Sequence, residues 1–370
     1  MRAVVYRGAN DLRLETVPVP AIRPDELLVR VAVCGVCPTD IKKIHYGTVP
    51  PPRVFGHETA GTIVRRGALV REFKVGARVA LHHHVPCLEC HACRHRAFAQ
   101  CAQYKRTGIT AGFDPAGGGY AEFVRVMPFV LPGVVSIPRG NSFIEGAMLE
   151  PVNTVLKAVN RLALLPEDTV LVAGQGPIGL MFTRLLALRG AQVLATDLFE
   201  PRLRLARQLG ARWSLQVQSA EAPTKGSGPR SSGRGEQIRA GDPLAGFVER
   251  RTRGRGLDAA VIAVPSDAVV RQAQALVRGG GQVLLFSHTR RGSQTSLDLA
   301  TVCVDEKDLL GSYSADVTLQ AEVARLVFTR KLDARRLITH QFPLAQTAAA
   351  IELASHPTAE SLKVVVAQGE

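Results

Sequence analysis

Hydrophobic positions divide the chain into two regions with different patterns. In the first 150 residues, short β-rich runs alternate with turns that contain Gly and Pro, which is typical of strands rather than helices. This region therefore predicts a β-barrel-like unit. Its predicted strands are Ala3–Tyr6, Glu26–Cys34, Gly61–Arg65, Arg78–Leu81 and Ala121–Val126.

After Glu150, apolar strands alternate with helical patterns, as expected for βαβ units on a parallel sheet. Six strands with crossover helices predict a complete doubly wound sheet and an α/β fold. The predicted strands are Thr169–Ala173, Gln192–Thr196, Arg212–Val217, Leu257–Ala263, Gln282–Phe286 and Asp308–Ser312. The predicted helices are Ile178–Arg189, Pro201–Leu209 and Ala268–Val277.

The C-terminal segment predicts two helices, Leu319–Phe328 and Ala345–Leu353, and a final strand, Leu362–Val366. We expect this strand to return to the N-terminal domain, which makes that domain discontinuous in sequence. Residues 220–241 are rich in Gly, Ser, Pro and Arg and predict a mobile surface insertion. The predicted domains are 1–152, with a small lobe near 86–104, then 153–315, and the C-terminal return 316–370.

Composition narrows the class of protein. The chain has 370 residues, of which 46% are hydrophobic and 21% charged, so it is long and apolar enough for two globular domains. It lacks an apolar run of 18 residues, which predicts that no helix crosses a membrane. The N-terminus reads as a strand rather than a signal peptide, so we expect a cytoplasmic protein without structural disulfides.

The net charge of +14 raises the possibility of a nucleic-acid partner, because basic surfaces bind phosphate. However, the basic residues are spread along the chain, and the single cluster has few aromatic neighbours that could stack on bases. That cluster comprises Arg250, Arg251, Arg253 and Arg255. We therefore expect a solvated basic surface and no nucleic-acid partner.

A glycine-rich turn after the strand Thr169–Ala173 has the form G-x-G-x-x-G and leads into a helix. Such turns bind the pyrophosphate of a dinucleotide, because the glycines allow a tight turn and close backbone approach at a helix N-terminus. The alternative is an ordinary tight turn between strand and helix. The residues predicted to bind the cofactor here are Gly174, Gly176, Pro177, Ile178 and Gly179.

Asp197 ends the second strand of this region, 18 residues after Gly179. A carboxylate at this place accepts hydrogen bonds from the adenosine ribose and repels the 2′-phosphate of NADP, so it favours NAD. Arg202 complicates this interpretation, because an arginine nearby can receive that phosphate. The alternative role for Asp197 is that of a solvated residue capping the next helix.

Four cysteines form the motif Cys87-x2-Cys90-x2-Cys93-x7-Cys101. Four thiolates at these spacings can close a tetrahedron around Zn²⁺ and leave no open position, which predicts a structural site. An iron–sulfur cluster is disfavoured because its usual fourth spacing and following proline are absent. His91 and His95 could compete as ligands, but with four thiolates available we expect them to be surface residues.

A second set of possible metal ligands is scattered along the chain. It comprises Cys37, Thr39 and Asp40 in G-V-C-P-T-D, His57 and Glu58 in G-H-E, and Glu150 in E-P. Together these residues supply a thiolate, an imidazole and carboxylates, enough for a zinc site that keeps a position for substrate. The alternative for Glu150 is that its carboxylate only stabilises the N-terminus of a helix through the helix dipole.

With these motifs in this order, the chain resembles the zinc-dependent medium-chain dehydrogenases over essentially its whole length. The resemblance implies a GroES-like β-barrel catalytic domain (1–152 and 316–370) with a structural zinc lobe, and an NAD-binding Rossmann domain (153–315). It also implies two zinc ions per chain, with Cys37, His57 and Glu150 holding the catalytic ion. Glu58 would then be an outer or exchanging ligand, Asp40 would orient His57, and Thr39 would pass the substrate proton.

Position 150 indicates which branch of this family the chain resembles, and position 42 concerns the proton relay. In the alcohol dehydrogenase branch the third zinc ligand is usually a cysteine, so a glutamate at position 150 is more similar to the polyol (sorbitol) and threonine branches. Lys42 stands where a histidine of the proton relay is often found, which leaves the outer relay open.

The resemblance implies an oxidoreductase that transfers a hydride between a secondary alcohol or polyol and NAD, working as a homo-dimer or tetramer. Two alternatives remain: a threonine- or aminocyclitol-type dehydrogenase, and a zinc-containing nucleic-acid-binding relative without catalytic activity. The intact set Cys37, Thr39, His57 and Glu150 argues against the second, because a binding protein has no need of an open metal site.

Overall fold

The structure is a computed structural model that describes residues 1–82, 84–106, 108–113, 117–218, 242–287, 292 and 294–368. The predicted insertion at 220–241 lies outside the described residues. The strands are β1 (Arg2–Gly8), β2 (Asp11–Thr16), β3 (Leu27–Gly35), β4 (Arg53–Val54), β5 (Glu58–Arg66), β6 (Arg78–Leu81), β7 (Ile109–Thr110), β8 (Phe123–Val126), β9 (Val134–Ser136), β10 (Thr169–Ala173), β11 (Gln192–Asp197), β12 (Trp213–Gln216), β13 (Leu257–Ile262), β14 (Val277–Leu285), β15 (Asp308–Gly311), β16 (Ile338–Pro343) and β17 (Lys363–Ala367).

The helices follow the same numbering in chain order. They are α1 (Pro38–Tyr46), α2 (His91–Arg94), α3 (Ala102–Arg106), α4 (Phe143–Ala147), α5 (Leu149–Val159), α6 (Pro177–Leu188), α7 (Glu200–Gln208), α8 (Pro243–Thr252), α9 (Asp267–Leu276), α10 (Leu299–Val304), α11 (Gln320–Phe328) and α12 (Thr347–Ser355). Among the described helices, none combines the length and the apolar character that a membrane span requires.

The chain divides into two compact units, residues 1–154 with 314–370, and residues 155–313. The predicted domains end at 152 and 315, within two residues of these limits. The catalytic role of the first unit and NAD binding by the second unit stay predictions.

The first unit is built on a curled sheet with the strand order β16-β17-β3-β5-β6-β9, with β7 and β8 attached beside β3. A second, three-stranded sheet has the order β2-β1-β4. Strand β17 pairs antiparallel with the end of β3, with Val366 opposite Cys34. Because β17 and β3 are neighbours, a residue near the C-terminus can reach the segment that follows β3.

The second unit is a parallel sheet of six strands in the order β12-β11-β10-β13-β14-β15, which confirms the predicted α/β doubly wound fold. Every residue of β10 and β13 is buried. Parallel strands covered by helices on both faces have no solvent-facing side, so they read as continuous hydrophobic runs rather than alternating ones. This explains why the sequence pattern located them within a residue or two.

Three of the elements that differ from the predictions bear on how the sequence was interpreted. Strand β14 begins at Val277, five residues before the predicted start, because Val277 pairs with Leu257 and the glycines at 279–281 form an irregular bulge before regular pairing resumes at Gln282. Helix α1 lies in the G-V-C-P-T-D segment, where no element was predicted. Strand β2 was not predicted, and it has no buried residue although Leu12 and Leu14 alternate with polar residues.

Candidate functional site

The first cluster of possible metal ligands lies where β3 ends and β5 begins. Cys37 precedes α1, whose first residue is Pro38, and His57 and Glu58 stand at the start of β5. The ligand atoms of Cys37, His57 and Glu58 all lie within 4.8 Å of one another. One thiolate, one imidazole and one carboxylate at this separation form a donor set suited to Zn²⁺.

Gly35 allows Glu58 to occupy this position. The two residues are directly opposite in the antiparallel pair β3–β5. A Cβ atom at position 35 would lie only 1.8 Å from Oε2 of Glu58. Any larger residue would therefore push the carboxylate away from the cluster, so the glycine of the G-V-C motif is required by close packing.

Asp40 holds the imidazole of His57 from the first turn of α1. His57 Nδ1 lies 3.1 Å from Oδ1 of Asp40, and the Gly56 N–H donates to Oδ2 at 3.1 Å. Burial opposes the charged form of His57, but Asp40 and Cys37 outweigh it and raise its pKa well above the ordinary value. Asp40 thus fixes the orientation of the ring, as an outer carboxylate does for a metal-binding histidine, and the ring also interacts with Cys37.

Lys363 is a residue of this site that the sequence patterns did not reveal. From β17, its Nζ donates to Oε1 of Glu58 at 2.6 Å and to the carbonyl of Val36 at 2.8 Å. Burial lowers the pKa of Lys363, but Glu58 and Cys37 outweigh this and leave it raised. A lysine at the start of a buried strand was the available signal, and its partner lies 305 residues away.

Glu150 lies in the first turn of α5 and is 6% exposed. Burial raises the pKa of Glu150 to about 7, with His57 and Lys363 lowering it and Glu58 raising it. Glu150 is thus close enough to interact electrostatically with the cluster, although it is not one of the three residues whose ligand atoms meet.

Two further predicted residues lie on α1. Thr39 is half-buried in the first turn, two residues after Cys37. Lys42 is half-buried as well, and burial lowers its pKa. Both therefore lie on the helix that begins at the cluster.

An aromatic contact links this cluster to the four-cysteine lobe. The His84 ring lies 5.9 Å from the ring of His57 and stacks on Tyr104 at 4.6 Å. Burial holds the pKa of His84 well below its ordinary value. Neither His84 nor Tyr104 was predicted as a site residue, because their positions carry no recognisable motif.

Cys87, Cys90, Cys93 and Cys101 form the second cluster, with Sγ atoms within 4.8 Å of one another. The Sγ–Sγ distances are 3.9 Å for Cys87–Cys93, 3.5 Å for Cys90–Cys93 and 3.6 Å for Cys101–Cys87. Zn–S bonds of about 2.3 Å give a tetrahedron with edges of about 3.8 Å, so these thiols fit a structural zinc ion.

The surroundings of these thiols agree with metal binding. Although burial raises it, backbone N–H groups including that of Cys87 bring the pKa of Cys101 down to about 6. Phe98 and Tyr104 pack against the buried thiols and form a small local core. His91 and His95 are exposed and outside the cluster, in line with the prediction that they are surface residues.

In the second unit, the glycine-rich turn joins β10 to α6. Gly174 has a φ of +89°, and a Cβ at Gly179 would lie 1.8 Å from the Gly174 carbonyl oxygen. A Cβ at Gly176 would meet nothing within 4 Å, so the bare backbone there faces open space. Pro177 and Ile178 form the first turn of α6, whose free N–H groups suit a pyrophosphate. These features fit a dinucleotide.

Asp197 lies at the end of β11 beside this turn. Its Oδ2 accepts from the Gln175 N–H at 2.6 Å, and its Oδ1 accepts from the Phe199 N–H at 2.9 Å. Arg202 lies 4.0 Å from the same carboxylate and 4.9 Å from the Phe199 ring centroid. The two residues that would favour NAD and NADP, respectively, are therefore adjacent.

Comparison with known proteins agrees with these sites. Residues 23–138 match the alcohol dehydrogenase GroES-like domain, and residues 177–329 match the zinc-binding dehydrogenase domain. The chain is 29% identical to a sorbitol dehydrogenase of Bacillus subtilis (strain 168), covering 99% of this chain and 97% of that one. It is 26% identical to a probable D-xylulose reductase A of Emericella nidulans, covering 90% and 88%.

Among solved structures, a protein of Sinorhizobium meliloti 1021 described as a zinc-binding dehydrogenase bound to NADP superposes with a TM-score of 0.81. It is 26% identical and the match covers 99% of this chain and 98% of that one. Fold, donor sets and dinucleotide turn define a zinc- and nicotinamide-dependent oxidoreductase. The chain belongs to the zinc-dependent medium-chain dehydrogenase family, which confirms the resemblance found in the sequence.

Proposed function

We propose that this chain is a zinc- and NAD-dependent polyol dehydrogenase that oxidises a secondary hydroxyl group to a ketone. The observation that carries the proposal is the donor set at the first cluster, where one thiolate and one imidazole meet the carboxylate of Glu58. The sorbitol dehydrogenase and D-xylulose reductase among the relatives support the same substrate class. The nucleic-acid-binding alternative is not supported, because these relatives are dehydrogenases.

In the proposed site, Cys37, His57 and Glu150 hold the catalytic zinc, and Asp40 keeps His57 oriented through Nδ1. Zinc, when bound, acts as a Lewis acid that makes an alcohol more acidic. Thr39 hydrogen-bonds the substrate hydroxyl and carries its proton outward along α1. The glycine turn of the second unit would hold the pyrophosphate of the nicotinamide cofactor, which would supply the hydride-accepting ring.

The donor set favours substrates with two neighbouring polar groups. Since Cys37 is the one thiolate of the proposed set, the zinc stays a harder Lewis acid and accepts further oxygen ligands. We therefore expect a higher kcat/KM for 2,3-butanediol than for 2-butanol, measured with NAD under identical conditions. A preference for the monoalcohol would contradict the assignment to polyols.

Glu150 is expected to be a zinc ligand rather than a helix-entry carboxylate. Glu150→Gln should weaken catalytic zinc binding by about 100-fold, since the amide is a poorer ligand than a carboxylate. Competition of the zinc-loaded protein with a chelator measures this. Glu322→Gln is the matched control, because Glu322 also lies in a first helical turn, that of α11. Equal zinc affinity of the two variants would show that Glu150 serves only its helix.

Cofactor preference should follow from Asp197. We expect a higher kcat/KM with NAD than with NADP. Asp197→Asn should lower the ratio of the NAD value to the NADP value by about tenfold, because the repulsion between the carboxylate and the 2′-phosphate of NADP is lost. Asparagine keeps an oxygen that can accept the Gln175 N–H. Initial rates with both cofactors measure the ratio. A native preference for NADP would mean that Arg202 outweighs Asp197.

We also propose two zinc ions per chain, a cytoplasmic location and a homo-dimer or tetramer. Helix α10 supports an oligomer, since it has no buried residue and its Leu299 and Val304 are 69% and 80% exposed. It lies in the unit in which β15 is an edge strand of the sheet. Exposed apolar side chains, and an edge that pairs with no other described strand, are features that a second copy can cover.

A further inference from the structure

Two histidines lie on one face of α2, outside both clusters of metal ligands. His91 is the first residue of this helix, and His95 follows one turn later, with its N–H donating to the His91 carbonyl at 3.3 Å. Residues four positions apart on a helix are neighbours on the same face. The two imidazole rings meet there, with their centroids 4.5 Å apart and their planes inclined by 54°.

The rest of the protein does not engage these two rings. Both residues are exposed, and within the described parts of the chain neither ring makes a hydrogen bond or an ion pair. His45, in contrast, hydrogen-bonds the side chains of Asn10 and Ser355. The ring nitrogens of His91 and His95 are therefore available to a ligand from solvent.

The spacing of the two histidines suits a metal ion. Two histidines four residues apart on a helix can bind one Zn²⁺ from the same face, and imidazole is also a ligand for Cu²⁺ and Ni²⁺. Cys93 lies between them in sequence but projects to the opposite side of the helix, where it is 4% exposed among the four thiols. An ion held by the two histidines would thus be distinct from the zinc of the four-cysteine lobe.

The charges near the histidine pair limit its affinity. Arg94 and Arg96 are exposed neighbours in sequence, and a positive charge close to a site disfavours a cation. Two neutral imidazoles also bring no negative charge to offset that of the ion, whereas the lobe supplies four thiols that bind as thiolates. We therefore expect an ion that exchanges readily and adds nothing to the two zinc ions proposed to stay bound.

We propose that His91 and His95 form a third, exchangeable metal site, which binds a divalent late transition metal ion such as Zn²⁺, Ni²⁺ or Cu²⁺ through both imidazoles. Water or a ligand from solution completes the coordination of the ion. This inference goes beyond the proposed function and does not depend on it, because neither histidine belongs to the residues assigned to catalysis or cofactor binding.

Calorimetric titration of the zinc-loaded protein with Ni²⁺ tests this site. Ni²⁺ binds imidazole and, unlike Cu²⁺, does not oxidise an exposed thiol such as that of Cys303. We expect one equivalent to bind, and His91→Ala or His95→Ala to weaken its binding by about tenfold or more, since each removes one of two ligands. His356→Ala is the matched control, because His356 is exposed and also lies four residues from a possible ligand, Glu352. It should leave the titration unchanged.

The double variant distinguishes one shared ion from two independent histidines. Loss of either ring already breaks the chelate, so His91→Ala, His95→Ala and the double variant should weaken Ni²⁺ binding to about the same extent. Unchanged zinc content in each variant shows that the four-cysteine lobe is intact. Two equivalents in the native protein, of which each single variant loses one, would overturn the proposal, as would native binding in His91→Ala or weakened binding in His356→Ala.

Discussion

Replacing Cys37 by Ser should lower kcat/KM for alcohol oxidation by about 10³-fold or more while the chain remains folded. The Cys37 sulfur is one of three ligand atoms that meet within 4.8 Å, and a serine hydroxyl is a much weaker zinc ligand than a thiolate. Zinc content should fall from two ions per chain to one. Initial rates, elemental analysis and circular dichroism on the same preparation measure the three quantities.

Cys34 provides the matched control for this variant. It lies three residues before Cys37, but it is outside the ligand cluster, and burial raises the pKa of its thiol to about 12. Cys34→Ala should therefore keep both zinc ions and most of the activity. If Cys37→Ser also kept two zinc ions and near-native rates, the first cluster would not be the catalytic metal site.

Replacing Cys93 by Ser should have the opposite profile, with stability lost before activity. Cys93 is 4% exposed and its Sγ lies 3.5 Å from Cys90 and 3.9 Å from Cys87, so it is central to the proposed structural zinc site. Structural zinc contributes directly to folding free energy. We expect Tm to fall by about 10 °C, which corresponds to a loss of roughly a few kcal/mol in the free energy of unfolding for a domain of this size.

Thermal unfolding of metal-replete protein, followed by elemental analysis, measures this effect. His91→Ala is the control, because His91 is an exposed residue of the same lobe outside the ligand cluster and should leave Tm and zinc content unchanged. A Cys93→Ser protein with native Tm but no activity would contradict this assignment, because the four-cysteine lobe would then be the catalytic zinc site and the first cluster the structural one.

The sequence predicted the second unit more closely than the first for a physical reason. Strands such as β10 and β13 are buried on both faces, so their whole length is apolar and their ends are marked by turns. In contrast, β2 has no buried residue, and β14 extends back to Val277 only across an irregular bulge of three glycines. These elements form because neighbouring strands pair with them.

In the candidate site, too, the residues that depend on contacts between distant parts of the chain were not predicted. Cys37, His57 and the four lobe cysteines stand in motifs with fixed spacing, and the structure brings each set together. The contact of Lys363 with Glu58 depends on β17 pairing with β3 across more than 300 positions, so no local pattern reports it. His84 was missed as well, because its place beside His57 depends on how Tyr104 packs from the lobe.

Hydride transfer from a polyol to NAD can be measured as the initial rate of nicotinamide reduction by the zinc-loaded protein. The substrates are D-sorbitol, 2-butanol and L-threonine, each with NAD and with NADP. We expect the highest kcat/KM for D-sorbitol with NAD. A highest value for L-threonine or 2-butanol, or no reduction with any of the three, would contradict it.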